Sequence, residues 1–222
     1  MPLNILIVDD HPMTVDSYIN LLSEDFFEIS KPHFIKCYNC EDAYKKITLL
    51  SMQNVKIDFA IVDVNLPPYN KYNISNGLDL STLIRKTHLE CKILILTMRT
   101  EAFLVDKIIK RIKPEGFVSK SEINFELFPL LCKKIISGEI FYSSEIMKSH
   151  KELLKENIKW DEHDTQILIL LSQGVKTIKL TDHIPLSMSA IEKRKANIKS
   201  QLLMGKGSDA DLIRKAKKMG FL

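Results

Sequence analysis

Five short apolar runs alternate with amphipathic segments over the first 137 residues of this chain. The runs have the length and β-branched content of strands, and they lie at Leu3–Val8, Phe34–Cys37, Ile57–Val62, Lys92–Thr97 and Gly116–Ser119. Apolar residues recur with the 3.6-residue period of helices over Met13–Leu22, Ala43–Met52, Leu78–Ile84, Phe103–Ile112 and Phe125–Ile136. Strands that alternate with helices form parallel sheets, so this part predicts a flavodoxin-like, doubly wound α/β domain with a five-stranded parallel sheet.

Polar side chains stand at the C-terminal ends of four of these runs. Asp9 and Asp10 follow the first run, Asp63 follows the third, Thr97 closes the fourth and Lys120 follows the fifth. Because the C-terminal ends of parallel strands line the edge of the sheet where ligands bind, these side chains are expected to converge. Three carboxylates, a hydroxyl and an ammonium group suit a divalent cation and a phosphoryl group.

The expected cluster predicts phosphoryl chemistry. Neighbouring carboxylates repel one another, and Mg²⁺ relieves this repulsion because it prefers oxygen ligands and couples to phosphate. Asp63 is the best candidate nucleophile, since it stands alone at the end of the middle strand. Lys120 would neutralise phosphoryl oxygens, and the Thr97 hydroxyl would donate a hydrogen bond to one of them. Mg²⁺ is therefore the expected cofactor.

Four stretches resemble, in order, the receiver domain of two-component response regulators. They are Ile5–Pro12, Ile61–Pro67, Ile93–Met98 and Gly116–Lys120, and the resemblance covers roughly residues 3–136. The Asp-Asp-His-Pro form of the first is similar to the NarL/FixJ-like subfamily, which carries a LuxR-type DNA-binding domain. The resemblance implies that a sensor histidine kinase or a phosphotransfer protein phosphorylates Asp63. It implies no enzyme beyond self-phosphorylation from small phosphodonors and autodephosphorylation.

The same resemblance assigns further roles at the site. It implies a set of Mg²⁺ ligands: Asp10 and Asp63 directly, Asp9 through water and Asn65 through its backbone carbonyl. Thr97 and Phe117 match the switch pair of the family, in which the hydroxyl turns towards the phosphoryl group and the aromatic ring rotates inward. Phe117 fits equally well as a core aromatic residue, and both interpretations hold together.

The stretch between Asp63 and Gly77 departs from the family pattern. It is longer by about six residues, a length that surface loops tolerate. The segment that holds the extra residues, 68–76, lies beside the predicted site. They could shield the acyl phosphate, alter kinase docking or form a neutral surface loop.

The last part of the chain has a helical pattern and a different charge. Residues 1–150 hold one more acidic than basic side chain, whereas the remaining 72 residues carry a net charge of +5. Asp161 and Ser187 are candidate N-caps of two helices that Pro185 separates, and the second runs from Met188 to about Leu203. This pattern predicts a small all-α helix-turn-helix domain at 160–222, after a receiver at 1–137 and a linker at 138–159.

Three short stretches match the LuxR-type helix-turn-helix, and the match implies a homodimer that binds double-stranded DNA. They are Leu170–Gly174, Ile184–Ser187 and Ala190-Ile191. Ala190, Glu192 and Arg194 depart from the usual Thr, Lys and His of the family. A Glu in this position repels phosphates, so the target is expected to be bound more weakly or to have a different base pattern.

One face of the second helix is free for DNA, since the opposite face carries an apolar stripe of Ile191, Ile198 and Leu202. The predicted DNA-binding residues are Lys176, Thr177, Ser187, Ser189, Glu192, Lys193, Arg194, Asn197 and Lys199. Lys195 falls near the apolar stripe, and it is expected either to snorkel to solvent or to face a neighbouring helix rather than to read a base.

Two other classes of function compete with this interpretation. A phosphohydrolase of the haloacid dehalogenase type needs a second Asp two residues after its nucleophile, where this chain has Asn65. A signalling adaptor would use its helical domain to bind protein rather than DNA. The chain has no apolar run of membrane-spanning length, so we expect a cytoplasmic protein without a membrane partner. Its cysteines, Cys37, Cys40, Cys91 and Cys132, are expected to be reduced thiols.

Overall fold

The computed structural model describes residues 3–23, 32–155, 160–203, 207–219 and 221–222. It divides into two compact units: Met1–Thr100 with Lys107–Met147, and Glu101–Asp106 with Lys148–Leu222. Residues 156–159 of the predicted linker lie outside the described residues. No helix in the described part of the chain is long and apolar enough to cross a membrane.

The first unit is built on a parallel sheet. Its strands are β1 (Asn4–Val8), β2 (His33–Cys37), β3 (Phe59–Asp63), β4 (Lys92–Thr97), β5 (Gly116–Ser119) and β6 (Phe141–Tyr142). Their spatial order is β2-β1-β3-β4-β5-β6, and every neighbouring pair is parallel. The five predicted strands are confirmed, each within two residues of its expected bounds.

Helices follow the strands, as the alternating pattern predicts. They are α1 (Pro12–Ser23), α2 (Cys40–Met52), α3 (Gly77–Thr87), α4 (Ala102–Ile112), α5 (Leu127–Ile136) and α6 (Ser144–Lys155). On one face of the sheet, Ile7 and Ile61 pack in a common core with Val15 of α1 and Phe128 of α5. Leu6, whose side chain points to the opposite face, is also fully buried. Helices that cover both faces explain why these strands are almost continuously apolar.

A sixth strand extends the five that the sequence predicts. Phe141 and Tyr142 pair with Gly116 and Phe117 of β5, and the Tyr142 hydroxyl donates to the Pro114 carbonyl at 3.1 Å. Ser143 Oγ then accepts from the buried Ser119 backbone N–H at 3.1 Å. A strand of two residues is too short to show an alternating pattern in the sequence, so the sequence predicts this segment as part of the linker. Its structure is a short strand followed by α6.

The second unit is helical. Its elements are α7 (Glu162–Ser172), a 3₁₀ helix (Thr177–Asp182), α8 (Met188–Leu203) and α9 (Asp209–Lys218). The predicted N-cap Asp161 is confirmed, because it forms a capping box with Asp164. Ser208 forms a second capping box, with Asp211, at the start of α9. A common core holds Ile167, Leu168, Leu180, Ile191, Ile198 and Leu212.

Candidate functional site

Three of the polar residues predicted at the strand ends lie together at the C-terminal edge of the sheet. The parallel register aligns Val8 with Val62 and so brings Asp9 and Asp63 to the same level. Lys120 reaches both from the end of β5, with Nζ 2.8 Å from Asp9 Oδ2 and 2.7 Å from Asp63 Oδ2. One ammonium group therefore bridges two carboxylates, as expected where strand ends converge.

Burial controls the electrostatics of this cluster. Asp9 is 1% exposed and Asp63 is 5% exposed. Burial raises the pKa of the Asp63 carboxyl, and the Lys120 hydrogen bond and charge oppose that rise only in part. Burial alone would lower the pKa of Lys120, but its hydrogen bonds to Asp63 and Asp9 outweigh this and raise it. Lys120 therefore stays charged. Its single positive charge does not fully compensate the buried carboxylates, so the site can accept a further cation.

The donor atoms next to this cluster fit a hard divalent cation. Ligand atoms of Asp9, Asp10 and His11 lie within 4.8 Å of one another. Asp10 Oδ1 is buried and accepts no hydrogen bond from the described residues, although His11 Nδ1 approaches it to 2.9 Å. The Asn65 backbone N–H donates to Asp63 Oδ1 at 3.3 Å, which holds the Asn65 backbone against that carboxyl. Oxygen donors with an unsatisfied buried oxygen suit Mg²⁺.

Gly77 makes the close approach of α3 to Asp63 possible. A Cβ atom at this position would lie 1.8 Å from the Asp63 carbonyl oxygen. The Gly77 N–H donates to the Val64 carbonyl at 3.1 Å, so the start of α3 is tied to the end of β3. A residue without a side chain is required here because backbone approaches backbone.

The two predicted switch residues are both buried. The Thr97 hydroxyl accepts from the Arg99 backbone N–H at 2.8 Å and donates to the Arg99 carbonyl at 3.1 Å. None of the hydrogen bonds recorded for the described residues joins Thr97 to Asp63. Phe117 is fully buried, with its ring edge-on to Tyr142 at a centroid distance of 6.3 Å. The ring is thus already inward, and the switch role of the pair stays a prediction.

In the second unit, α8 has the two faces that its sequence predicts. The apolar stripe is confirmed, because Ile191, Ile198 and Leu202 are buried. The opposite face is exposed, and it carries Ser187, Ser189, Glu192, Lys193, Ala196, Asn197 and Ser200. Ser187 Oγ accepts from the Ala190 backbone N–H at 3.3 Å and so caps the start of this helix.

Several predicted DNA-binding residues are engaged within the protein. Arg194 Nη1 lies 2.9 Å from Asp164 Oδ1. Lys199 Nζ lies 2.7 Å from an oxygen of Asp209. Thr177 Oγ1 accepts a 2.7 Å hydrogen bond from Lys195, which faces the neighbouring 3₁₀ helix as predicted. Lys176 and Lys193 are exposed, and the structure records no ion pair for either within the described ranges.

The first unit matches a known family. A model of the response regulator receiver domain matches residues 5–129, which include every residue of the acidic cluster and Lys120. The chain belongs to the response regulators. This result agrees with the four motifs and with the doubly wound sheet.

The response regulator UvrY and the transcriptional regulatory protein ComA are each similar to 90% or more of this chain. UvrY of Escherichia coli strain K12 is 24% identical over 207 residues, which cover 90% of this chain and 88% of UvrY. The transcriptional regulatory protein ComA of Bacillus subtilis strain 168 is 25% identical over 222 residues, which cover 96% of this chain and 97% of ComA.

Two solved structures of the response regulator RcsB have a similar fold. RcsB from Salmonella enterica serovar Typhimurium, bound to the promoter P1flhDC in the presence of BeF₃⁻, superposes with a TM-score of 0.64 at 17% identity. A further RcsB–DNA complex gives a TM-score of 0.62 at 17% identity. Each match covers 98% of this chain and 99% of the other.

The receiver has two features near the site that sequence reasoning missed. His11 lies beside both aspartates, and its only signal was its place in the Asp-Asp-His-Pro motif. Ser121 Oγ, next to Lys120, donates to Glu145 Oε2 of α6 at 3.0 Å. This contact joins residues 24 positions apart, and no local sequence pattern predicts it.

Proposed function

We propose that this response regulator is phosphorylated on Asp63 and that phosphorylation controls dimerisation and sequence-specific binding to double-stranded DNA. The observation that carries the proposal is the Lys120 ammonium, which bridges Asp9 and Asp63 at the sheet edge. The phosphoryl donor would be a sensor histidine kinase or a phosphotransfer protein. The receiver, predicted at 1–137, would act on a DNA-binding domain at 160–222 through the intervening residues.

The chemistry follows from the position of each group. An oxygen of Asp63 attacks the phosphorus of a phosphohistidine, the P–N bond breaks and an acyl phosphate forms. Asp9, Asp10, Asp63 and the Asn65 carbonyl would hold Mg²⁺, which neutralises charge on the transferring phosphoryl group. Lys120 exchanges one carboxylate for a phosphoryl oxygen, since its Nζ already lies against Asp63.

The buried pair Thr97 and Phe117 would carry the change away from Asp63. The Thr97 hydroxyl would leave the backbone of Arg99 and donate to a phosphoryl oxygen. The Phe117 ring, which is already buried, would fill the space that this movement vacates. The change in the segment after β4 would promote dimerisation.

The exposed face of α8 supports DNA binding. Lys193, Asn197 and Glu192 stand on this face with side-chain types that read guanine, adenine and cytosine in a major groove. The proteins with similar structures include RcsB bound to DNA. Two paired α8 helices would read half-sites about one DNA turn, roughly 34 Å, apart.

The test is selection of genomic DNA fragments by the purified chain, with and without Mg²⁺ and acetyl phosphate. Enrichment of a two-fold-symmetric site that sharpens with phosphodonor is the expected result. Enrichment that is the same with and without acetyl phosphate, and the same for Asp63→Asn as for wild type, would refute control by phosphorylation. Absence of enrichment in every condition would refute DNA binding and favour an adaptor that binds protein.

A further inference from the structure

The loop between β3 and α3, residues 64–76, begins and ends at the same place. The Gly77 N–H bonds to the Val64 carbonyl, and Gly77 lies against the carbonyl oxygen of Asp63. A compact loop whose ends meet in this way is an Ω-loop. We call the backbone of residues 63–65, next to Gly77, its neck. The neck therefore contains Asp63 and the Asn65 carbonyl, a proposed Mg²⁺ ligand.

The far end of this loop has a closure of its own. We call residues 69–74 the loop head. The Tyr69 N–H donates to the Ile74 carbonyl at 2.7 Å, and the Ile74 N–H donates back at 3.3 Å. Ile74 is buried, and Asn73 takes the left-handed conformation that ends the short 3₁₀ helix Asn70–Tyr72. The residues inserted relative to the family therefore form a defined structure.

Three tyrosine rings attach the loop head to α2, and we call them the tyrosine clamp. Tyr44 of α2 stacks on Tyr72 with ring centroids 4.4 Å apart and an interplanar angle of 26°. Tyr69 lies 5.8 Å from Tyr44 and 5.3 Å from Tyr72. The Cys40 N–H, at the start of α2, also donates to the Pro67 carbonyl at 3.4 Å. The loop is thus held on α2 at two places.

We propose that the tyrosine clamp is a positioning device for the Asp63 site. By holding the loop head on α2, it restricts the neck and so sets the Mg²⁺ affinity of the site and the rate at which Asp63 is phosphorylated at low Mg²⁺. This inference rests on the proposed phosphorylation of Asp63. No hydrogen bond recorded for the described residues involves a hydroxyl of the clamp, so the rings act by stacking.

The experiment compares Tyr72→Ala with Tyr72→Phe in the full chain. Loss of one stacked ring is expected to lower the hydrogen-exchange protection of the Ile74 and Gly77 amides by up to about tenfold. It is also expected to weaken Mg²⁺ binding, measured by titration calorimetry, by about tenfold, as loss of outer-shell support does. Tyr72→Phe keeps the ring and is expected to match wild type. Met52→Ala, an exposed change on α2, is the matched control.

Saturating Mg²⁺ is expected to restore the phosphorylation rate of Tyr72→Ala from acetyl phosphate, because the clamp acts on affinity. Tyr44→Ala removes the same stack from the side of α2 and must give the same changes. Wild-type Mg²⁺ affinity in Tyr72→Ala would overturn the inference, as would equal losses in Tyr72→Phe.

Exchange and Mg²⁺ binding are measured without a phosphoryl donor, so they test the clamp by itself. A wild-type chain that binds Mg²⁺ but accepts no phosphoryl group would instead overturn the proposed phosphorylation of Asp63. The two failures are therefore distinguishable.

Discussion

Arg194 of α8 binds Asp164 of α7, with Nη1 2.9 Å from Oδ1, and Asp164 is only 4% exposed. Arg194 Nη2 also lies 2.8 Å from Asp161 Oδ2. The same two aspartates form the capping box of α7. One guanidinium group thus connects the cap of one helix to the middle of the helix proposed to bind DNA.

Replacing Arg194 with Gln is expected to destabilise the second unit, since the buried Asp164 carboxylate loses its cation. A loss of about 1–3 kcal/mol in the free energy of unfolding is the usual cost of leaving a buried polar group unsatisfied. Urea unfolding followed by the fluorescence of Trp160, which hydrogen-bonds Gln201 of α8, measures it. Unchanged stability would show that the ion pair contributes nothing.

The neighbouring Lys193→Ala is expected to behave in the opposite way. Lys193 is exposed on α8, so its loss should change the free energy of unfolding by no more than about 0.5 kcal/mol. Affinity for the selected DNA site is expected to fall by about 1–3 kcal/mol if Lys193 contacts a base. Fluorescence anisotropy with selected and scrambled duplexes distinguishes a base contact from a phosphate contact. Equal losses of affinity for both duplexes would indicate a phosphate contact.

Lys120→Met is expected to destabilise the receiver when divalent cations are absent. The change leaves Asp9 and Asp63 buried without their shared ammonium group, at a cost of about 2 kcal/mol. Mg²⁺ should restore part of the loss, because a ligand that binds the folded state stabilises it. Urea titrations in EDTA and in Mg²⁺ test this, with Lys120→Arg as the charge-preserving control. Equal stability of wild type and Lys120→Met in EDTA would contradict the expectation.

Gly77→Ala is expected to disturb the phosphoacceptor as well as the fold. The new methyl group would overlap the Asp63 carbonyl oxygen, so the backbone must shift at a cost of about 1–3 kcal/mol. Phosphorylation by acetyl phosphate should slow, because Asp63 moves with that backbone. Ser75→Ala, an exposed change in the same loop, should alter neither quantity. A Gly77→Ala protein with wild-type stability would mean that the approach is looser than the structure indicates.

The receiver half was predictable because its signals are local. An apolar run that ends in a polar residue predicts both a strand and the position of a site residue, as at Ile61–Asp63 and at Gly116–Lys120. Parallel topology then brings the strand ends together without any knowledge of side-chain contacts. Lys120 between Asp9 and Asp63 is the expected outcome of that topology.

The remaining features depend on contacts between residues far apart in the chain. Arg194 looks like a free cation in the sequence, and its partner Asp164 lies 30 residues away. The tyrosine clamp joins a helix residue, Tyr44, to Tyr72 in an inserted loop whose role the sequence left open. Periodicity predicts which face of an element is buried, but it does not predict which distant side chain contacts that element.

β6 changes how a shortened form of this protein would behave. A fragment ending at residue 137 would leave Gly116 and Phe117 of β5 unpaired on one side, and the Ser119 N–H would lose its acceptor on Ser143. Exposed strand edges recruit other chains. Self-association of such a fragment would therefore result from the exposed edge of β5 rather than from signalling, whereas a fragment that keeps Ser143 retains β6 as a short edge strand.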